Sequence, residues 1–320
     1  MQNDAPITVS NSNVAVVDIG SNSIKILIAT RGPAGGVLPL LNRSIDARIS
    51  AGISAAAPRL SDEGMERGCA AVAELLALAR PYEPVRILLV ATSAVRDAVN
   101  GPDFRAQVLA RTGHAIRILT GEEEANGIGR GLVSDPALAA LRDFHVFDLG
   151  GGSLECLAFR DRRISHSLSL QLGCVRLMEK FVADQSASFP EESRRAIAAH
   201  TRAALLASGL PLARPDAAAV ATGGTVATVR AIVGARTGRS VAETEPRITA
   251  AQLAELLAQL APLSLEQRRQ VPGLPAARAD VFPVALATFL AVAETGGFAE
   301  FRHSFHNLRY GLAAELLDTV

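Results

Sequence analysis

The chain has 320 residues, 49% hydrophobic and 20% charged, enough apolar side chain for one large or two smaller buried cores. Lys plus Arg and Asp plus Glu are both 32, a formal charge of zero, which argues against a general nucleic-acid binder. Aromatic residues are only 4%, with no Trp, which argues against stacking platforms for single strands. Cys69, Cys156 and Cys174 are scattered, odd in number and without Cys-x-x-Cys spacing. Neither a disulfide framework nor a structural zinc site is expected, and the expected compartment is the reducing cytoplasm. Met1 to Asn13 lacks a charged-then-apolar signal pattern, and no apolar run approaches the ~20 residues of a membrane span.

Residues 1–13 read as a frayed leader rich in Asn and Ser. Val14-Ala15-Val16-Val17 has the character of a buried strand and ends in Asp18; the polar turn Ile19 to Ser23 and the run Ile24 to Ile28 complete a hairpin. Val37 to Leu40 begins a further strand. Ser61 caps a helix to about Ala79, with acids in its first turn, an apolar stripe along it and Pro81 after it. Val85 to Ala91 predicts a strand, Asp103 to Arg111 a helix and Ile116 to Leu119 a strand. A helix opens at Thr120-Gly121. This alternation predicts an α/β layer fold.

Beyond Ser134-Asp135-Pro136, a plausible domain crossing, His145 to Leu149 leads into Gly150-Gly151-Gly152-Ser153-Leu154-Glu155. Further strands are predicted over 164–172 and 217–221, and helices over 191–206, 226–233 and 312–317. Thr249 caps a helix with Leu253, Leu256, Leu257 and Leu260 at helical spacing, and Ser264 with Gln267 has the form of a capping box.

The chain contains one arrangement twice. With Asp18 laid on Asp148, Gly20 falls on Gly150, Ser23 on Ser153 and Leu27 on Leu157 without a gap. Each copy is a strand, Asp-x-Gly, two small or polar residues, Ser, and a strand. Glycines in series let backbone N–H groups converge on an anion. The instructive difference is Lys25 opposite Glu155: a cation for phosphate oxygens in one copy, a carboxylate in the other. Asp148 and Glu155 bracket their loop as candidate ligands for a divalent cation. Two phosphate hairpins suggest two related domains with a cleft between them.

These two loops resemble the phosphate motifs of the exopolyphosphatase / guanosine pentaphosphate phosphatase family, within the superfamily of sugar kinases, actin and heat-shock chaperone ATPases. Further matches follow in family order: Ala91 to Ala98, Gly121 to Ala125, Leu172 to Leu177, Thr222 to Thr225, Arg278-Ala279-Asp280 and Leu308 to Leu312. The resemblance covers about residues 14 to 318. It implies two actin-like (ribonuclease H-like) α/β domains, 1–123 plus 304–320 and 124–303. It further implies hydrolysis of a terminal phosphoanhydride in inorganic polyphosphate, guanosine pentaphosphate or both. Glu124 matches the family's general base and Arg96 its positive charge for substrate. Asp148 and Glu155 match its ligands for Mg²⁺ (or Mn²⁺). Ser21, Asn22, Lys25, Gly150, Gly151, Gly152 and Ser153 would hold phosphate, joined by Gly223, Gly224 and Thr225 at a helix N-terminus. A homodimer is the expected assembly, with no nucleic-acid or membrane partner.

Bland rivals accompany these roles. Glu122, Glu123 and Glu124 are also what a helix N-terminus favours, and the base could fall on Glu123. Arg96 has a ready ion-pair partner in Asp97. Gly127-x-Gly129-x-Gly131 follows acids rather than a strand and is no dinucleotide fingerprint. His303 and His306 are expected at the surface or between domains, not on a metal. Tyr310 stands where the family often has Glu, and an end at Val320 matches the short members that lack a C-terminal helical domain. A polyphosphate or alarmone sensor, and a sugar or acetate kinase, are the alternative readings.

Overall fold

Apolar runs with no polar face become strands covered on both sides, and two such runs centre the two sheets of the molecule. The computed structural model describes residues 12–319 except 34, 51 and 213–217. Most of the expected leader, and Ala217 of the expected 217–221 strand, lie outside the described residues.

The first half runs β1 (Val14–Ile19), β2 (Ile24–Arg31), β3 (Val37–Ile45), α1 (Asp62–Ala79), β4 (Arg86–Ala91), α2 (Ser93–Asp97), α3 (Gly101–Thr112), β5 (Ile116–Ile118) and α4 (Gly121–Val133). Its sheet has the order β3-β2-β1-β4-β5, with β1 antiparallel to β2 and parallel to β4.

The second half runs β6 (Phe144–Leu149), β7 (Leu154–Arg160), β8 (Arg163–Leu170), α5 (Cys174–Phe181), α6 (Glu191–Ala207), β9 (Ala218–Thr222), α7 (Gly224–Thr237), β10 (Arg247–Thr249), α8 (Ala250–Leu260), α9 (Leu265–Arg269), α10 (Phe282–Gly296), β11 (Glu300–His303) and α11 (Leu308–Leu317). Its sheet, β10-β11-β9-β6-β7-β8, repeats the first: β6 is antiparallel to β7 and parallel to β9, and β11 lies parallel beyond β9. Strand β10 is the addition, antiparallel at the edge. The expected α/β fold in two halves is the one observed, with one strand topology repeated in both sheets.

The duplication extends to hydrogen bonds. Asp18 pairs with Lys25 across the first hairpin as Asp148 pairs with Glu155 across the second. Gly20 N–H donates to the Ser23 carbonyl at 3.2 Å, and Gly150 N–H to Ser153 at 3.0 Å. The caps at Ser61, Thr249 and Ser264 form as expected, the last two as full capping boxes with Gln252 and Gln267.

Helices α2 and α10 depart from the sequence reading. Residues 92–97 gave no periodicity because α2 is little more than one turn. Helix α10 is apolar almost all round, since it is buried in the second half against α6 and α8, so no stripe marks it.

The dismissed Gly127-x-Gly129-x-Gly131 has a packing role. Helix α11 packs on β1 and β2, α4 packs on β7 and β8, and the two helices cross. Gly127 and Gly131 share one face of α4 four residues apart. A Cβ at Gly311 would lie 1.9 Å from the Gly127 carbonyl oxygen, and one at Gly131 would lie 2.1 Å from that of Asn307. Backbone meets backbone, so no rotamer change can make room. Gly311→Ala is expected to cost about 3 kcal/mol by overpacking, read as a lower denaturant midpoint. Gly36→Ala, where a Cβ meets nothing within 4 Å, serves as the neutral control.

Candidate active site

The two hairpin turns face each other at the seam between the sheets. A Cβ on Gly151 would stand 2.7 Å from Ser21 Cβ, and one on Gly152 would stand 2.2 Å from Ser93 Oγ. Only glycine lets the second turn approach the first this closely. Between the turns lies a cavity of about 80 Å³, with Asp18, Lys25, Glu124, Asp148 and Glu155 on its wall. Ser21, Asn22, Gly150, Gly151, Ser153, Gly223 and Gly224 complete the expected residues that line it. A larger cavity of about 380 Å³ adjoins it, sharing Lys25, Gly223, Gly224 and Arg278, with Asn42, His303 and Phe305 farther out.

Helix α4 separates the competing acids. Glu123 turns back to accept from Thr120 N–H at 2.8 Å and pairs with Arg117 at 2.7 Å, so it closes a capping box on the exposed side. Its neighbour, turned about 100° round the helix, points inward: Glu124 is buried and takes a hydrogen bond from Arg96 Nη1 at 3.2 Å. Burial, then the nearby Glu155, pushes the Glu124 carboxyl well above the usual range, with Arg96 opposing.

Both readings of Arg96 contain part of the observed geometry. It pairs with Asp97 at 3.4 Å, donates to the Leu119 carbonyl at 3.0 Å and holds Glu124. It therefore stands behind Glu124 and is not among the residues that line the cavity. Asp97 in turn accepts from Arg176 at 2.8 Å, and Arg176 donates to the carbonyls of Gly152 and Ile53 at 3.0 and 2.8 Å. The chain Glu124–Arg96–Asp97–Arg176–Gly152 ties the candidate base to the opposite loop.

Two more of the expected residues, Gly152 and Thr225, also lie off the cavity lining. Gly152 does not line the cavity, because it is spent on packing against Ser93, Ser21 and Gly173. Thr225, in the first turn of α7, is buried away from it. Gly223 has φ +88°, and a Cβ there would sit 2.2 Å from Asp148 Oδ1; one at Gly224 would meet the Arg278 guanidinium at 1.8 Å.

The charges are dense and dry. Burial raises Asp18, and it raises Asp148 to about 6 against the pull of Lys25, with Asp18 adding to the rise. Burial and then Asp148 raise Glu155 to about 7, although Ser169 Oγ donates to it at 2.8 Å. Lys25 is lowered by burial and then by Arg309. Neighbouring carboxylates, with Asp18 raising Asp148 and Asp148 raising Glu155, are what a divalent cation would neutralise. No group of three or more His, Cys, Asp or Glu is poised for a metal among the described residues. A cation held here would thus draw the rest of its shell from substrate and water, which suits Mg²⁺.

Arg278, Asn307, Thr92 and Ser93 also line the cavity and were not singled out. The signal for Arg278 was present in the Arg278-Ala279-Asp280 block, but nothing local says that a half-buried guanidinium there comes up against Gly224 at the start of α7. Arg309 spans from the last helix to the Ile26 carbonyl and Asn42 Oδ1, at 3.2 and 2.7 Å. His303 is buried against Arg230 Nη1 at 2.8 Å rather than on the surface, and His306 stacks on Tyr310 at 4.0 Å.

Comparison with known proteins places this geometry in context. The model of the Ppx/GppA phosphatase family matches residues 10–319. Exopolyphosphatase 2 of Mycobacterium tuberculosis is 32% identical over 320 residues, covering 95% of this chain and 98% of the relative. An exopolyphosphatase from Cytophaga hutchinsonii shares the fold with a TM-score of 0.86 at 21% identity, over 96% of this chain and 98% of the other. The Aquifex aeolicus Ppx/GppA enzyme gives 0.76 at 23% identity, over 95% and 99%.

Burial, then the Arg230 guanidinium, lowers the His303 pKa to about 3, so the ring is neutral at pH 7 and accepts from Arg230. A depressed folded-state value gives stability that is present above about 6.5 and lost as pH falls towards about 3. The raised Asp148 and Glu155 carboxyls act in the opposite sense over this range, so the His303 contribution is read as a difference between proteins. His303→Asn, which keeps an acceptor and cannot titrate, should melt progressively closer to, or above, wild type as pH falls from 7 to 4.

Proposed function

The chain belongs to the Ppx/GppA phosphatase family, and from that membership we propose that it is a phosphoanhydride hydrolase of the exopolyphosphatase type. It releases terminal phosphate from inorganic polyphosphate, from guanosine pentaphosphate or from both. The observation that carries this reading is Glu124, a buried carboxylate held by Arg96 at 3.2 Å on the wall of a cavity between two glycine turns.

The terminal phosphoryl group enters between the turns, where Ser21, Asn22, Gly150, Gly151 and Ser153 offer donors to its oxygens. Lys25 and Arg278 supply positive charge where the leaving phosphate develops negative charge. Asp148 and Glu155 would hold Mg²⁺ or Mn²⁺, which would supply charge neutralisation for phosphoryl transfer. Glu124 accepts the proton of the attacking water; its raised pKa makes it a stronger base than an exposed glutamate. Arg96 orients that carboxylate. Residues 1–123 with 304–320, and 124–303, act as the two bodies of the clamp. Among the described residues no helix is long and apolar enough to cross a membrane, and all three cysteines are free and buried. These features support a cytoplasmic location. The exposed Leu38 and Leu40 on edge strand β3 are the surface offered to a homodimer.

Short polyphosphate, long polyphosphate and guanosine pentaphosphate should be assayed side by side with Mg²⁺; phosphate release from at least one is expected, and release from none sinks the reading. Glu124→Gln should lower kcat by roughly 10²–10⁴-fold with little change in KM. Unchanged turnover removes the base assignment, and a wild type that binds tightly without turnover would be a sensor. Chelation should abolish turnover, and Asp148→Asn or Glu155→Gln should raise the Mg²⁺ concentration needed for half-maximal rate.

A further inference from the structure

Asn22 stands on the wall between the small cavity and a side cavity of about 240 Å³ that Arg48 and Asp280 also line. The residue is buried, and its two side-chain atoms have different fates. Oδ1 accepts from Arg48 Nε at 3.1 Å, while Nδ2 is buried without a hydrogen-bond partner. An orphaned donor of this kind is retained in a folded protein when something else binds to it.

Arg48 grips this asparagine twice. Besides the side-chain bond, its own backbone N–H donates to the Asn22 carbonyl at 2.9 Å. The same guanidinium reaches across the seam, where Nη2 forms an ion pair with Asp280 of the second half. Arg48 has φ +46°, in the left-handed region that favours glycine. Strained backbone held in place by its surroundings is a pointer to function. A strained residue, an orphaned donor and an ion pair across the cleft therefore meet at one point.

We propose that Arg48 is a positioning residue for the substrate phosphate. By occupying Asn22 Oδ1 it fixes the amide the right way round, so that Nδ2–H₂ is offered to a phosphate oxygen. Without Arg48 the amide is free to flip and present Oδ1, whose lone pairs repel an anion. Because the grip is completed by Asp280, the donor is set only when the two halves are closed. Arg48 itself does not line the small cavity and touches no reacting atom. The inference rests on the hydrolase reading, since it needs a phosphate between the turns.

Arg48→Gly provides the test. Glycine suits φ +46° and keeps the backbone N–H on the Asn22 carbonyl, so the turn is retained while the guanidinium is removed. The probe is tripolyphosphate with methylene groups in place of its bridging oxygens, titrated calorimetrically with Mg²⁺ present. Arg48→Gly and Asn22→Ala should each weaken its binding by roughly tenfold or more. The double variant should bind no more weakly than Asn22→Ala, because both changes remove the same contact. Arg48→Lys keeps the charge at Asp280 but not the Nε–H on Asn22, so it should melt like wild type and still bind weakly. Additive losses, wild-type affinity in Arg48→Gly, or full recovery in Arg48→Lys would each overturn the assignment. A wild type that neither binds the analogue nor releases phosphate would instead overturn the hydrolase reading, and this inference with it.

Discussion

Asp18, Glu124, Asp148 and Glu155 are four carboxylates around one small cavity, and burying a charge costs several kcal/mol per ion unless something answers it. Within the protein the answer is incomplete. Lys25 and Arg309 act on Asp18 and Asp148, Arg278 acts on Asp148, and Arg96 acts on Glu124 and Glu155; even so, burial leaves all four carboxyls raised. A centre whose buried carboxyls are incompletely compensated favours a divalent cation, and a cation in turn lets a polyanion enter. The same desolvation that raises these carboxyls strengthens every contact made to a bound phosphate.

That arrangement requires the halves to close tightly. Closure is achieved by removing side chains: Gly151 and Gly152 against Ser21 and Ser93, and Gly127 and Gly131 against Gly311. Apolar side chains of both halves share two continuous cores across the seam, and polar bonds cross it beside them. Arg176 reaches Asp97 and Ile53, Glu179 accepts from Gly52 and Ser54 N–H at 2.7 and 2.9 Å, and Arg48 meets Asp280.

Much of the fold was legible because it rests on local rules. Continuous apolar runs marked β1, β4 and β6, and caps at Ser61, Thr249 and Ser264 marked helix starts. The gapless match of Asp18 on Asp148 anticipated two sheets of one topology. Helix α10 escaped notice because burial on every side erases periodicity, and α2 because it is too short to have any. The Gly127-x-Gly129-x-Gly131 run was correctly refused as a fingerprint, yet its purpose depended on Gly311, far along the chain.

The amino-acid sequence by itself determined which residues could meet a phosphate and a cation, because glycine freedom, carboxylate chemistry and strand alternation are properties of the chain at short range. It could not say which of Glu123 and Glu124 faces the cavity, since they differ by one step round a helix whose inner face is defined only by the packing of both halves. Nor could it put Arg96 behind Glu124, or bring Arg278, Arg48 and Asp280 to the seam. Those placements depend on which surfaces the two halves present to each other. Only the tertiary structure decided them, because long, flexible charged side chains take their partners from space rather than from sequence.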